Sequence, residues 1–194
     1  MAQRTRAWIR RAGRARLDDG SELLWSLAEG GRGRRWRAST TLEGRITHAL
    51  LLEIDLAGRP ARLELTTEAG MLTLHPEPDG RSIHGNVVHR GGVRPLALAW
   101  GPDHDLEVVD RPLVTAVMLR RLGPTVRVGE GETVPVLAID RSLAVRVGTR
   151  LVRRLADRRW IVADLAAARE MAIELDPDGL PQLGPSADSW PLEP

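Results

Sequence analysis

Asp103, His104 and Asp105, followed at short range by Glu107, are the densest group of titratable side chains in the sequence. If Leu106 points inward on a strand, Asp105 and Glu107 share the opposite face. Two carboxylates so placed can share a proton or hold a cation, and Asp103, His104 and Asp105 could serve a hydrolase. The plainer reading is a solvated turn and strand edge, because acid–base catalysis needs a pocket that no local pattern demonstrates. Fifteen residues on stand Arg120 and Arg121. In a strand one of the two faces inward, and a buried guanidinium needs a carboxylate or a ligand anion. An internal salt bridge to Asp105 or Glu107 is the favoured expectation. A lipid or sugar headgroup is the functional one.

Other chemistry is absent from the pattern. There is no Cys, so neither a disulfide nor a thiolate is available. No nucleophile elbow, phosphate loop, dinucleotide-binding glycine pattern or zinc-protease motif occurs. The five histidines, His48, His75, His84, His89 and His104, are dispersed, and no metal or other cofactor is expected.

Among the 194 residues there are six Trp but no Phe, Tyr or Lys, and all 28 basic residues are Arg. A GC-rich genome explains that bias, which weakens arginine richness as a sign of nucleic acid. Residues 1–37 hold ten Arg against four acids, whereas the rest of the chain is net acidic. Residues 1–20 therefore read as a flexible basic leader and residues 21–194 as a single domain. The alternative function is binding of nucleic acid or an anionic surface by this leader together with Arg32, Arg34, Arg35 and Arg37, with Trp36 stacking. The preferred reading of that glycine-rich stretch is a turn into a strand carrying Trp36, and no nucleic-acid partner is expected. No apolar run is long enough for a secretory signal or a membrane span, so a cytoplasmic location is expected.

The elements that must position these residues read as strands. Residues 46–54 form an apolar run of strand length. Residues 61–67 alternate, with Leu63 and Leu65 on one face. A Pro-Asp-Gly turn at 78–80 precedes two further strands, the second with Leu96, Leu98 and Trp100 on one face. In the last third, 164–170 has helical composition, but alternation at Met171, Ile173 and Leu175 and a turn at Asp157-Arg158 favour strands. Val134 and Val136 belong to another predicted strand.

The stretch 105–123 resembles the signature of a family of bacterial proteins named for glycolipid binding, formerly a domain of unknown function. That signature runs Asp-x-Asp-Leu, a Pro shortly after, Thr-Asn-Thr-Leu-Pro-Ile, then Arg-Arg-Leu. Arg120, Arg121 and Leu122 match its end. Leu119 stands for the Ile, Val117 for the Leu, Pro112 for the first Pro, and Asp105 and Glu107 for the two acids. Thr115 stands where the family has Asn, Val114 and Ala116 replace the flanking Thr residues, and Met118 replaces the second Pro. Looser similarity, with Asp55 at an early acidic position and Trp160 where an aromatic is usual, extends the resemblance over about residues 21–190.

The resemblance implies a mainly β fold, a strongly curved antiparallel sheet forming a spiral β-roll or half-open barrel. It implies a non-enzymatic protein whose apolar groove takes a lipid or glycolipid. Trp100, Asp105, Glu107, Thr115, Arg120 and Arg121 are the predicted ligand-binding residues. Within this frame 105–123 is expected to be a strand, a Pro-marked loop and a second strand.

Overall fold

A computed structural model describes residues 9–17, 19–184 and 187–192. It contains fourteen strands and one helix among those residues. Nine strands form one sheet, with β14 (Asp188–Pro191) and β1 (Arg10–Arg16) followed by β2 to β8 in sequence order, antiparallel throughout. Its core strands are β2 (Glu22–Gly30), β3 (Gly33–Leu42), β4 (Arg45–Ile54), β5 (Pro60–Thr67), β6 (Gly70–Pro76) and β7 (Ser82–His89). β8 (Gly92–Ala99) is one edge. The sheet curls strongly into a half-barrel, as the family resemblance implies.

Alternation builds the inner face in rows. Leu27, Trp36, Leu52, Leu63 and Leu74 are cross-strand neighbours, and all are buried. Trp25, Ala38, Leu50, Leu65, Leu72 and Val87 form the next row. Rows carrying polar side chains lie on either side of these: Glu29 and Arg34, neighboured by Ile54, on one, and Thr40 and His48 on the other. Gly33 lets β3 start tightly. Its φ is +115°, and a Cβ there would lie 2.0 Å from the Ile54 carbonyl oxygen.

The second sheet has the order β13-β12-β11-β10-β9. Its members are β9 (Asp105–Val108), β10 (Gly131–Ile139), β11 (Val145–Ala156), β12 (Arg159–Asp164) and β13 (Arg169–Glu174). β11 and β12 turn at Asp157-Arg158 as predicted. Residues 165–168 form a turn, with Ala168 at φ +48° and the Ala167 amide bonded to Asp164, which favours strands over a helix there. β9 and β10 run parallel, and a parallel pair needs a crossover between its strands.

That crossover corrects the central expectation. Residues 112–122 are helix α1 (Pro112–Leu122), not a loop and a strand. Pro112 suits the first turn of a helix, where its missing N–H is not required. Eight of the eleven helical residues are buried, because α1 is apolar nearly all round and lies between the sheets. Leu113, Val114 and Val117 pack with the inner face of the large sheet. Ala116, Met118, Leu119 and Leu122 pack with Val134, Val136, Val152, Trp160 and Ile173 of the small one.

The basic leader needs a second correction. Residues 10–16 are strand β1 (Arg10–Arg16), paired with β2 and with β14 (Asp188–Pro191). Gly13 and Ala15 turn inward, and Arg11 is held 2.5 Å from Asp176 and 2.6 Å from Asp178. Strand pairing with small inward residues orders this arginine-rich segment. The remainder of the expected leader at 1–8 and residue 18 lies outside the described residues.

Candidate functional site

α1 runs along the inside of the curl from one polar row to the other. At its start Arg111 lies 2.8 Å from His48 Nδ1. Burial and the charge on Arg111 together hold the imidazole pKa down at about 4. At its end Arg120 and Arg121 arrive beside Arg34. A cavity of about 340 Å³ remains there, where the helix ends short of filling the curl. Trp36, Ile54, Val117 and Pro124 supply its apolar wall, and Leu56, exposed in the turn after β4, lies on the rim. Arg34, Arg120 and Arg121 supply its charged end.

Each guanidinium is differently compensated. Arg121 donates through Nε and Nη2 to Asp105 Oδ2, at 3.1 Å and 2.5 Å. Asp105 is 1 % exposed. Burial outweighs Arg121 and pushes its carboxyl pKa up to about 6. Arg34 Nε lies 2.5 Å from Glu29 Oε2, but the two atoms are not aligned as a hydrogen bond. Arg34 Nη1 donates to the Asp178 carbonyl at 2.8 Å. Burial lowers the Arg34 pKa first, and the charge of Arg120 lowers it further. Arg120 reaches only Glu29, at 3.8 Å, and makes no hydrogen bond among the described residues. Its stem lies on Gly179, where a Cβ would stand 2.7 Å from Arg120 Cδ. Trp36 is 1 % exposed, yet its indole Nε1 has no partner among the described residues.

The predicted residues divide accordingly. Asp105, Arg120 and Arg121 come together. The expected salt bridge forms between Arg121 and Asp105, while Arg120 turns to Glu29 instead. Glu107 is elsewhere, 2.5 Å from Arg150, which also reaches Asp164 at 3.0 Å. The solvated-edge reading of Asp105 and Glu107 is therefore overturned, since both are buried. Thr115 is buried within α1 with its hydroxyl unpartnered. Trp100 follows β8 and packs against His104, with ring centroids 5.6 Å apart. Asp103 is exposed, so Asp103, His104 and Asp105 do not converge. Among the described residues no three His, Asp or Glu side chains are placed to hold a metal.

Ile54, Leu56 and Gly179 were not predicted as site residues, and Arg34 and Trp36 were predicted only for the nucleic-acid or anionic-surface alternative. Alternation places Arg34 and Trp36 on one strand face, which is a usable signal. Arg35 is on the other face and pairs with Glu53 at 2.6 Å, so the arginines of β3 do not form one phosphate-facing stripe. A larger, shallower depression of about 530 Å³ lies over β2–β5, among Leu24, Ser26, Arg37, Ser39 and Leu51. The smaller cavity is the better candidate, because it joins an enclosing apolar wall to buried charge. Its lining has no hydroxyl, imidazole or carboxylate side chain. It can donate hydrogen bonds and receive apolar surface.

Fold and cavity define a curled β half-barrel with a helix packed inside it and a polar-ended pocket at the helix terminus. No protein-family model matches the chain, and no curated protein matches it. The fold is similar to the crystal structure of a DUF1089 family protein from Pseudomonas aeruginosa, with a TM-score of 0.54 and 20% identity, over 96% of this chain and 95% of that one. At that identity the likeness shows the fold. No helix among the described residues is long and apolar enough to cross a membrane.

Proposed function

We propose that this protein is a cytoplasmic, non-enzymatic binder of an apolar or glycolipid-like ligand, and that the cavity at the end of α1 is its site. One observation supports the reading above others: an apolar wall meets three guanidinium groups within one half-open cavity of about 340 Å³. Burial of apolar ligand surface would supply the affinity. At about 25 cal/mol per Å², roughly 200 Å² contributes about 5 kcal/mol before the cost of association is subtracted. The arginines would hydrogen-bond a polar headgroup and fix its orientation.

Native mass spectrometry of protein taken gently from cells, together with titration calorimetry using octyl glucoside, tests the proposal. A retained small molecule or a saturable one-to-one heat is the expected result. Leu56→Asp, at an exposed rim position, should weaken binding about tenfold by removing apolar contact. Bare protein combined with no saturable heat would sink the reading.

A further inference from the structure

The charge around the cavity carries a narrower conclusion. Three guanidinium groups line it and no carboxylate does. Asp105 serves Arg121. Glu29 sits close to Arg34 and at 3.8 Å from Arg120, so one carboxylate is divided between two cations. Asp176 and Asp178, the other acids on this side, are held by Arg11. Arg120 is thus the least compensated charge, and Gly179 seats it at the cavity. The Arg120 side chain is 35 % exposed, so solvent compensates it only in part, and partly desolvated cations ordinarily find a partner. Trp36 adds a buried indole N–H without an acceptor, and tryptophan usually finds one when buried.

The size of the space matters as well. About 340 Å³ is near the lower limit of roughly 300–1,000 Å³ for small-molecule sites. One short chain fits such a space; the paired chains of a diacyl lipid do not.

We propose that the ligand is a single-chain amphiphile ending in an oxyanion, a carboxylate or a phosphate monoester, with its anionic group on Arg120 and its chain against Ile54, Val117 and Leu56. This rests on the binding reading above and gives it a charge and a chain number. Arg34 faces the same group as a second donor. The stacked sheet rows behind Trp36 keep the chain end dry.

Calorimetry on the full chain decides it, with octanoate, octyl phosphate, octyl glucoside and octylammonium, each below its micelle concentration. Acetate and inorganic phosphate serve as chainless anions. Octanoate or octyl phosphate should bind about 10- to 100-fold more tightly than octyl glucoside, the range expected for a charge-assisted hydrogen bond. Octylammonium should bind more weakly than the glucoside. Arg120→Gln should erase the preference for anions, weakening octanoate and octyl phosphate by a larger factor than octyl glucoside, and Arg120→Lys should restore part of it. Equal binding of glucoside and anions overturns the charge assignment while leaving the binding function standing. Chainless phosphate binding as tightly as octyl phosphate makes this a free-anion site and also overturns it. Equal losses for every ligand in Arg120→Gln remove the role given to Arg120. No binding by any of the amphiphiles removes both this proposal and the function it rests on.

Discussion

Replacing Thr115 by Val distinguishes a structural helix from a ligand-contacting one. Thr115 is 1 % exposed at the end of the first turn of α1. Its hydroxyl has no partner among the described residues. A helical Thr commonly returns its hydroxyl to the carbonyl four residues back. Here that carbonyl, on Arg111, instead accepts the Val114 amide at 3.1 Å. A buried, unpaired hydroxyl costs about 1–3 kcal/mol, whereas Val and Thr have similar helix propensities. Thr115→Val should therefore stabilise the protein by about 1–2 kcal/mol, raising Tm by about 2–4 °C per kcal/mol at this chain length. Urea unfolding followed by circular dichroism measures it, with an unchanged m-value as the check that the unfolded state is unaltered. Thr115→Ser, which keeps the hydroxyl and loses a methyl, should instead destabilise. A loss of 1 kcal/mol or more in Thr115→Val would refute the reasoning, because it would mean that the hydroxyl is satisfied in the folded protein. The same variant should leave octyl glucoside binding unchanged, since Thr115 does not line the cavity.

Two further perturbations test the buried charges. Arg150→Met should cost about 3–5 kcal/mol in urea unfolding by removing the close partner of Glu107 and Asp164 and leaving Glu107 only Arg169 at 3.7 Å, and adding Glu107→Gln should recover much of it. Between about pH 4 and pH 6, Asp105 and His48 act in opposite directions. The Asp105 carboxyl, raised from 3.8 to about 6, contributes stability that is fully present below its unfolded value and is lost as pH rises through 6, about 3 kcal/mol in all. His48, lowered from 6.5 to about 4, contributes stability that is present above 6.5 and is lost as pH falls to 4. Urea midpoints should therefore rise with pH across this window in Asp105→Asn and fall in His48→Asn, with the native protein flatter than either. Identical slopes in all three would contradict both assignments.

The legible part of this fold is the part written in local alternation. Leu63 and Leu65 alternate with polar neighbours and are buried as expected. The turn at 77–80 closes through the Gly80 amide on the Glu77 carbonyl at 2.9 Å. α1 was hidden because a helix buried on all sides shows no amphipathic stripe, and its Val and Thr content imitates a strand. Only Pro112 at its first position and Gly123 just after it mark its ends. β1 was hidden for the opposite reason. Its arginines suggested solvent, while its inward face is carried by the small residues Gly13 and Ala15. At the site, Asp105 with Arg121 was readable, since buried charges must pair and few candidates lay close in sequence. Arg120 with Glu29 was not, because their approach depends on how far the sheet curls around the helix, and no local spacing encodes that.

The six tryptophans supply the most direct test of the ligand site. Their indole N–H resonances can be followed while octyl glucoside or octanoate is titrated into labelled protein, with Trp36→Phe identifying the key signal. The Trp36 resonance should move and saturate in step with calorimetric binding, while Trp100 and Trp190 stay fixed. Saturable binding that shifts Trp25, which lines the depression over β2–β5, and leaves Trp36 unmoved would contradict the assignment of the cavity at the end of α1.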